Sequence, residues 1–452
     1  MKKLLTTTCL LFIVAQTLFG QAIPVTLETI DGVPTLVREG KPYYIKGAGG
    51  QEHLDLVVQL GGNSIRTWSI DDTRKVLDDA HARGLTVMVG MWVGHERHGF
   101  DYNNQAAIRR QYDRFEAAVK ELKDHPAVLL WGIGNEVDLF YSNTKVWDAI
   151  QDIAAMVHRI DPNHPTTTVT AGIDSMEVHL IKTKAPDIDF LSVNTYGDLY
   201  KVHDNIRKWG WTGPYLISEW GPTGHWEVEK TRWGAPYEQT SEEKAEVYRS
   251  RYADHIYKYK NEGLLGSYVF LWGQKQETTE TWYGLFDNQG RPTRALDMLQ
   301  LNWSGALPED QAPILTSLVI QGEEVILGSG LYYQDTRIQA SLQVHDLNEK
   351  KLDIEWSLLP EATDTKAGGD AEKALDAING FLRNEGTDGV EVIIPNREGG
   401  YRLFVKVTDK GGKVAYANVP FYAYPRPVGA EQRQWVKWKS RTMDDFDKPL
   451  ND

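Results

Sequence analysis

Two glutamates stand at the ends of apolar runs: Glu136 closes AVLLWGIGNE and Glu219 sits in GPYLISEWG. A run such as 128–133, stopped by Gly134, Asn135 and Glu136, reads as a buried parallel strand ending at a polar rim, and 214–218 before Glu219 reads the same way. In a barrel of parallel strands, residues at the carboxyl ends line the mouth, so the two carboxyls are expected to face one another across a cleft. Two facing carboxylates are the minimal equipment for hydrolysing a glycosidic bond. A lone Glu at a strand end is commonly a solvated loop residue, but the neighbours argue otherwise. Asn135 offers an amide to a sugar 2-hydroxyl, a contact that strengthens in the transition state, and Trp220 offers a flat apolar face to a pyranose ring.

WGIGNE and ISEWG resemble the acid/base and nucleophile motifs of retaining β-glycosidases with a (β/α)8 barrel, the clan that includes the family 2 and family 5 enzymes. The resemblance covers roughly residues 25–300. It implies that Glu136 is the acid/base at the end of strand 4 and Glu219 the nucleophile at the end of strand 7. It also implies that Tyr196, in SVNTYG after strand 6, hydrogen-bonds the nucleophile, and that Trp272, after strand 8, floors the subsite before the cleaved bond.

The elements that must position these residues are legible as an alternation. Eight strands are expected at 43–46, 64–68, 85–91, 128–133, 167–171, 190–194, 214–218 and 267–271, with helices at 72–83, 106–123, 146–160 and 241–261 among the connections. This spacing predicts an α/β fold, a (β/α)8 TIM barrel. Short strands at 24–47 lead into it. After 305–313 the helical alternation gives way to alternating strands, with Tyr401, Leu403, Val405 and Val407 on one face, which predicts a C-terminal immunoglobulin-like β-sandwich over 312–425. The barrel is expected over 23–305, a charged tail over 426–452, and a loop with a short helix at 361–383. The sandwich is expected to pack on the barrel rather than to bind sugar itself.

Other rim residues fit the same chemistry. Arg66, in NSIRTW at the end of strand 2, is expected beside Glu219, where a guanidinium orients a carboxylate. Trp68, Trp92, Trp226, Trp282 and Tyr283 add aromatic planes of the kind that pack against the C–H faces of sugars, although many of the aromatics near the rim are expected to be core and Trp131 is expected to be structural; Trp92 is the platform expected after strand 3. His95, in WVGHERH, is expected to reach substrate hydroxyls. His95 and His98 do not have the spacing of a zinc-protease pair, no third ligand is evident, and no G-x-S-x-G turn supports a serine nucleophile, so neither a metal nor a cofactor is expected.

Composition bounds the partners. The 452 residues carry a formal charge of −14, which disfavours nucleic acid. Lys2 and Lys3 before an apolar stretch, with Gly20 and Ala22 near a plausible cleavage point, predict a signal peptide over 1–22 and export to the periplasm, cell surface or medium. The single cysteine, Cys9, falls inside it. No later run has the length of a membrane span. The expected partner is a polysaccharide or oligosaccharide. A sandwich behind the barrel, rather than ahead of it, resembles the endo-β-1,3-glucanases of glycoside hydrolase family 158 and implies an open cleft on a β-glucan. An exo-acting β-galactosidase or β-glucuronidase and a β-glucan transglycosylase are the alternatives, and a carbohydrate-binding scaffold is the non-enzymatic one.

Overall fold

The computed structural model describes residues 21–324, 330–425 and 434–437. Nearly all of the expected signal peptide and most of the expected tail lie outside the described residues. Three short antiparallel strands, β1 (Val25–Ile30), β2 (Val33–Arg38) and β3 (Lys41–Pro42), form a small sheet. Val25 and Leu36 of this sheet are buried with Ile45, Met88, Leu130, Val169 and Leu216 in one apolar cluster. The sheet therefore seals one end of the barrel with side chains that would otherwise stay wet.

Eight parallel strands then close on themselves: β4 (Ile45–Gly49), β5 (Ser64–Arg66), β6 (Thr86–Met91), β7 (Val128–Ile133), β8 (Thr166–Ala171), β9 (Phe190–Asn194), β10 (Tyr215–Trp220) and β11 (Leu264–Val269). Helices alternate with them, including Thr73–His81, Gln105–Leu122, Lys145–Ile160 and Ser241–Arg251. The first strand starts two residues later than expected and the last starts three residues earlier. The glycines of IKGAGG argue locally for a turn, but barrel packing requires them: a Cβ on Gly47 would sit 2.2 Å from the Tyr268 ring. Tyr268 fills the barrel interior and hydrogen-bonds Ser64 at 2.8 Å.

Beyond the barrel, β12 (Ile314–Glu324), β14 (Arg337–His345), β16 (Leu382–Arg383), β17 (Gly389–Ile393) and β20 (Gln434–Lys437) form one sheet. A second sheet holds β13 (Leu331–Tyr333), β15 (Leu352–Pro360), β18 (Gly399–Asp409) and β19 (Val414–Tyr424). Leu318 and Val392 from the first sheet and Leu403, Val405, Val407 and Phe421 from the second bury together between them, as strand alternation requires of a sandwich. The strand β20 lies inside the segment expected to be tail.

The outer face of the second sheet packs on the barrel through polar contacts. Arg402, 2% exposed, donates to the Pro236 carbonyl at 2.9 Å and to Glu361 at 2.7 Å. Asn418 donates to Glu238 at 2.7 Å, and Lys413 to Asp297 at 2.7 Å. Removing one partner of such buried pairs strands the other charge, so the two parts are held as a packed unit. The 361–383 segment contains no helix; it runs as an irregular strap toward the barrel mouth.

Candidate active site

Glu219 lies in β10, one residue before the strand ends. Its Oε1 accepts from Arg66 at 3.0 Å and from the Trp68 indole at 2.7 Å, and its Oε2 accepts from the Tyr196 hydroxyl at 3.1 Å. Arg66, the last residue of β5, also donates to the Ser218 carbonyl at 2.6 Å, to Asn194 at 3.2 Å and to Asn135 at 2.6 Å. The planar guanidinium thus ties four strand ends to one rigid fork. Burial alone pulls Arg66 toward deprotonation, and the charges of Glu219 and Glu136 oppose it.

Glu136 follows β7 after the turn Gly134-Asn135. Its φ is 52°, a left-handed conformation that side chains other than glycine adopt at a cost of roughly 1 kcal/mol or more. The Glu136 N–H donates to the Val169 carbonyl at 2.9 Å, which anchors the turn on β8, and Oε1 accepts from the Asn194 amide at 2.9 Å. Burial, then the nearby charge of Glu219, push the Glu136 carboxyl up to about 7; the Asn194 donor and Arg66 pull the other way. A carboxyl that holds its proton near neutral pH can serve as an acid. One carboxyl fixed by three donors beside another kept protonatable is an arrangement suited to attack on, and protonation of, one acetal linkage.

Asn135 lines the cleft, and its Oδ1 accepts from Arg66 and from Asn194 at 3.2 Å. With its oxygen engaged, its NH2 group is the donor available to a sugar hydroxyl. Trp92 is 38% exposed and also lines the cleft, where an aromatic platform can work. Three residues differ from expectation. His95 is 1% exposed, and its Nε2–H donates to the Asn135 carbonyl at 2.5 Å. It braces the turn that carries Glu136 instead of facing substrate, and burial pushes its pKa down to about 4.

Trp220 is fully buried against Tyr248 and Tyr252. Successive strand residues face opposite ways, so Glu219 turns into the barrel mouth and Trp220 outward under the helices. Trp272 is 1% exposed, stacks on Trp303 and donates to the Glu52 carbonyl at 2.9 Å. It lies three residues past the end of β11, so the residues that reach the cleft there are Phe270 and Leu271.

The cleft has a volume of about 260 Å³ and is also bordered by Trp68, Trp226, Lys275, Glu277, Gly368 and Gly369. Sequence reasoning missed Asn194, although it stands in SVNTYG two residues before Tyr196, at the end of β9. It also missed Lys275 and Glu277, which follow the barrel's last strand. Burial opposes ionisation of Glu277, but His225 and Lys275 outweigh it and its carboxyl falls below the usual range. Lys275 bonds Glu277 at 2.8 Å and the Gly369 carbonyl at 2.6 Å. The strap glycines had no signal in the sequence, because they arrive from the sandwich. Among the described residues, no group of three or more His, Cys, Asp or Glu side chains is arranged to hold a metal ion, and no helix is long and apolar enough to cross a membrane.

The chain is similar to several known glycosidases. A β-glucuronidase of Paenibacillus borealis is 23% identical over 323 residues, which cover 62% of this chain and 52% of that protein. Human β-glucuronidase is 23% identical over 220 residues, 43% of this chain and 32% of that protein. The chain thus spans about half or less of the length of these curated relatives. Among solved structures, a β-D-glucuronidase from Dictyoglomus thermophilum superposes with a TM-score of 0.48 at 19% identity, covering 64% of this chain and 54% of that one. A putative β-galactosidase from Bacteroides fragilis superposes with a TM-score of 0.48 at 12% identity, covering 90% and 58%. The profile of the glycosyl hydrolases family 2 TIM barrel domain matches residues 51–304. That match carries the family 2 side of the resemblance drawn from the motifs, not the family 158 side. The chain belongs to the glycosyl hydrolase family 2 TIM-barrel family.

Proposed function

We propose that the chain is a retaining β-glycosidase that removes a terminal sugar from a β-glycoside. The observation that carries the reading is the pairing of Glu219, held by Arg66, Trp68 and Tyr196, with Glu136, whose carboxyl titrates near 7. In the first step a Glu219 oxygen attacks the anomeric carbon while Glu136 gives its proton to the departing glycosidic oxygen. A glycosyl ester forms and the leaving group departs as an alcohol. Esterification removes the charge of Glu219, so Glu136, now ionised, takes a proton from water. That water attacks the anomeric carbon, the ester breaks, and the sugar leaves with its β configuration retained.

Removal of a terminal residue is supported by the β-glucuronidase names of the relatives and by the strap, whose Gly368 and Gly369 wall the cleft on one side. The charge of the cleft favours a neutral sugar over a uronide. Lys275 is the one cation among the described residues that line the cleft, and its ammonium is committed to Glu277 and to Gly369. A sugar carboxylate would have to break that pair or remain unpaired near three glutamates. A second reading, cleavage within a β-glucan chain, is favoured by the continuation of the cleft past Glu136 to Phe140 and Trp226.

The test is a panel of aryl β-galactoside, β-glucoside and β-glucuronide, together with β-1,3-, β-1,4- and mixed-linkage glucans, with products sized at early times. The terminal reading expects monosaccharide alone at first and faster turnover of neutral glycosides than of the glucuronide. Early products of several sizes from a polymer would replace it with the second reading. A preference for the glucuronide would overturn the charge argument.

A further inference from the structure

We infer that the strap from the sandwich, residues 365–370, forms one wall of a leaving-group site, so that the second domain helps to choose what the enzyme releases. The inference rests on the proposed role of Glu136. A second cavity of about 510 Å³ adjoins the first and shares Glu136, Tyr196, Trp226 and Gly368 with it, while Glu219 borders only the first. The acid that protonates the glycosidic oxygen stands between the sugar to be trapped and the group to be released. The cavity that borders Glu136 but not Glu219 is therefore where the released group lies.

Its walls come from two domains. The barrel supplies Phe140 after β7 and Trp226 after β10, which are 70% and 52% exposed. The strap supplies Thr365, Lys366, Ala367 and Gly368. It is fastened to the barrel mouth on both sides of the cleft. Arg97 donates to Asp370 at 3.0 Å and to the Ala367 carbonyl at 3.1 Å; Lys275 donates to the Gly369 carbonyl; and the Thr278 N–H donates to Glu372 at 2.6 Å. The strap passes close to the barrel, in a backbone conformation that favours glycine. Gly368 has a φ of 62°, and a Cβ there would lie 2.5 Å from Leu139 and 2.9 Å from the Arg97 guanidinium.

Two large aromatic surfaces left open to water beside a proton donor suit a ring with a flat apolar face. Asp198, Glu227 and Lys366 border the cavity with polar groups that hydroxyls can meet. The shared chemistry is that of a pyranose or an aryl ring attached through the scissile oxygen.

The test compares substrates with one glycone and different leaving groups: the β-glycosyl fluoride, an aryl glycoside and a disaccharide. The variants are Phe140→Ala on the barrel and Thr365→Ala and Lys366→Ala on the strap, all at exposed positions; thermal unfolding checks that each is folded. Losing a ring contact is expected to lower kcat/KM by about tenfold on ring-bearing leaving groups. The fluoride, which has no ring to bind, is expected to lose much less. The disaccharide and aryl arms separate the two ring sources: a larger loss with Lys366→Ala on the disaccharide assigns the site to sugar, and a loss with Phe140→Ala confined to the aryl glycoside assigns it to an aryl group. Equal losses on fluoride and ring-bearing substrates, or no loss on either, would overturn the inference. Failure of the catalytic reading looks different: Glu136→Ala would then reduce fluoride and disaccharide turnover equally, whatever the strap variants do.

Discussion

Neutralising Glu219 is expected to lower the pKa of Glu136. In the native protein the Glu136 carboxyl is raised from 4.5 to about 7, first by burial and second by the charge of Glu219. In a retaining pair the carboxyls stand about 5 to 5.5 Å apart. Two unit charges at that distance, at an effective dielectric of about 20, repel by roughly 3 kcal/mol, or about two pH units. Arg66 touches Glu219 at 3.0 Å and cancels part of that field, so a net fall of about one unit is expected in Glu219→Gln. Burial persists in the variant, so the group stays above the ordinary carboxyl range. The assay is a pH titration of glutamate side-chain carbon resonances in Glu219→Gln, with the signal assigned by its loss in the Glu136→Gln, Glu219→Gln double variant. A midpoint that stays put, or rises, would refute the claim that the two carboxyls share one electrostatic field.

Stability is expected to carry the same signature. Because the folded-state pKa of Glu136 is raised, its contribution is present below about 4.5, is lost as pH rises through about 7, and leaves a buried charge above that. Glu136→Gln is therefore expected to be more stable than wild type at pH 8, by up to about 3 kcal/mol, and to match wild type at pH 4; a gain at pH 4 alone would reverse the sign. Among the tryptophans, Trp92→Ala is expected to raise KM with little change in melting temperature. By contrast, Trp272→Ala and Trp220→Ala are expected to destabilise by about 3–5 kcal/mol, and unchanged melting of either buried variant would contradict the packing. His95→Ala is expected to lower kcat more than it raises KM, because it frees the turn that carries Glu136, and His95→Gln is expected to restore part of the rate; a pure KM effect would place His95 on the substrate.

The barrel was legible because each strand is a short apolar run followed by a helix signal, and strand ends are where polar residues collect. Glu136, Glu219, Arg66 and Asn135 could be found for that reason, and Tyr196 through the family resemblance. The tryptophans were harder. An aromatic beside a catalytic glutamate reads as a sugar platform, yet strand alternation turns Trp220 away from the side that Glu219 faces. Trp272 was misplaced because the last strand ends at Val269 rather than at 271, and a two-residue slip there moves a side chain from cleft to core. His95 was read as a substrate ligand because sequence shows proximity to the rim but not depth. The strap lay beyond any local signal: Arg97 donates to the Gly368 carbonyl and Leu139 lines the same cavity, both more than two hundred residues away along the chain. Only the packing of the sandwich against the barrel brings them together.

The central claim is that Glu219 becomes covalently glycosylated. A 2-deoxy-2-fluoro glycoside of whichever sugar the panel shows to be hydrolysed slows release of the ester more than its formation, so the adduct accumulates and can be mapped by proteolysis and mass spectrometry. One sugar per chain is expected, carried on the peptide containing Glu219, with activity lost in step with labelling. A sugar carried on Glu136, on Glu277 or on any other side chain would contradict it.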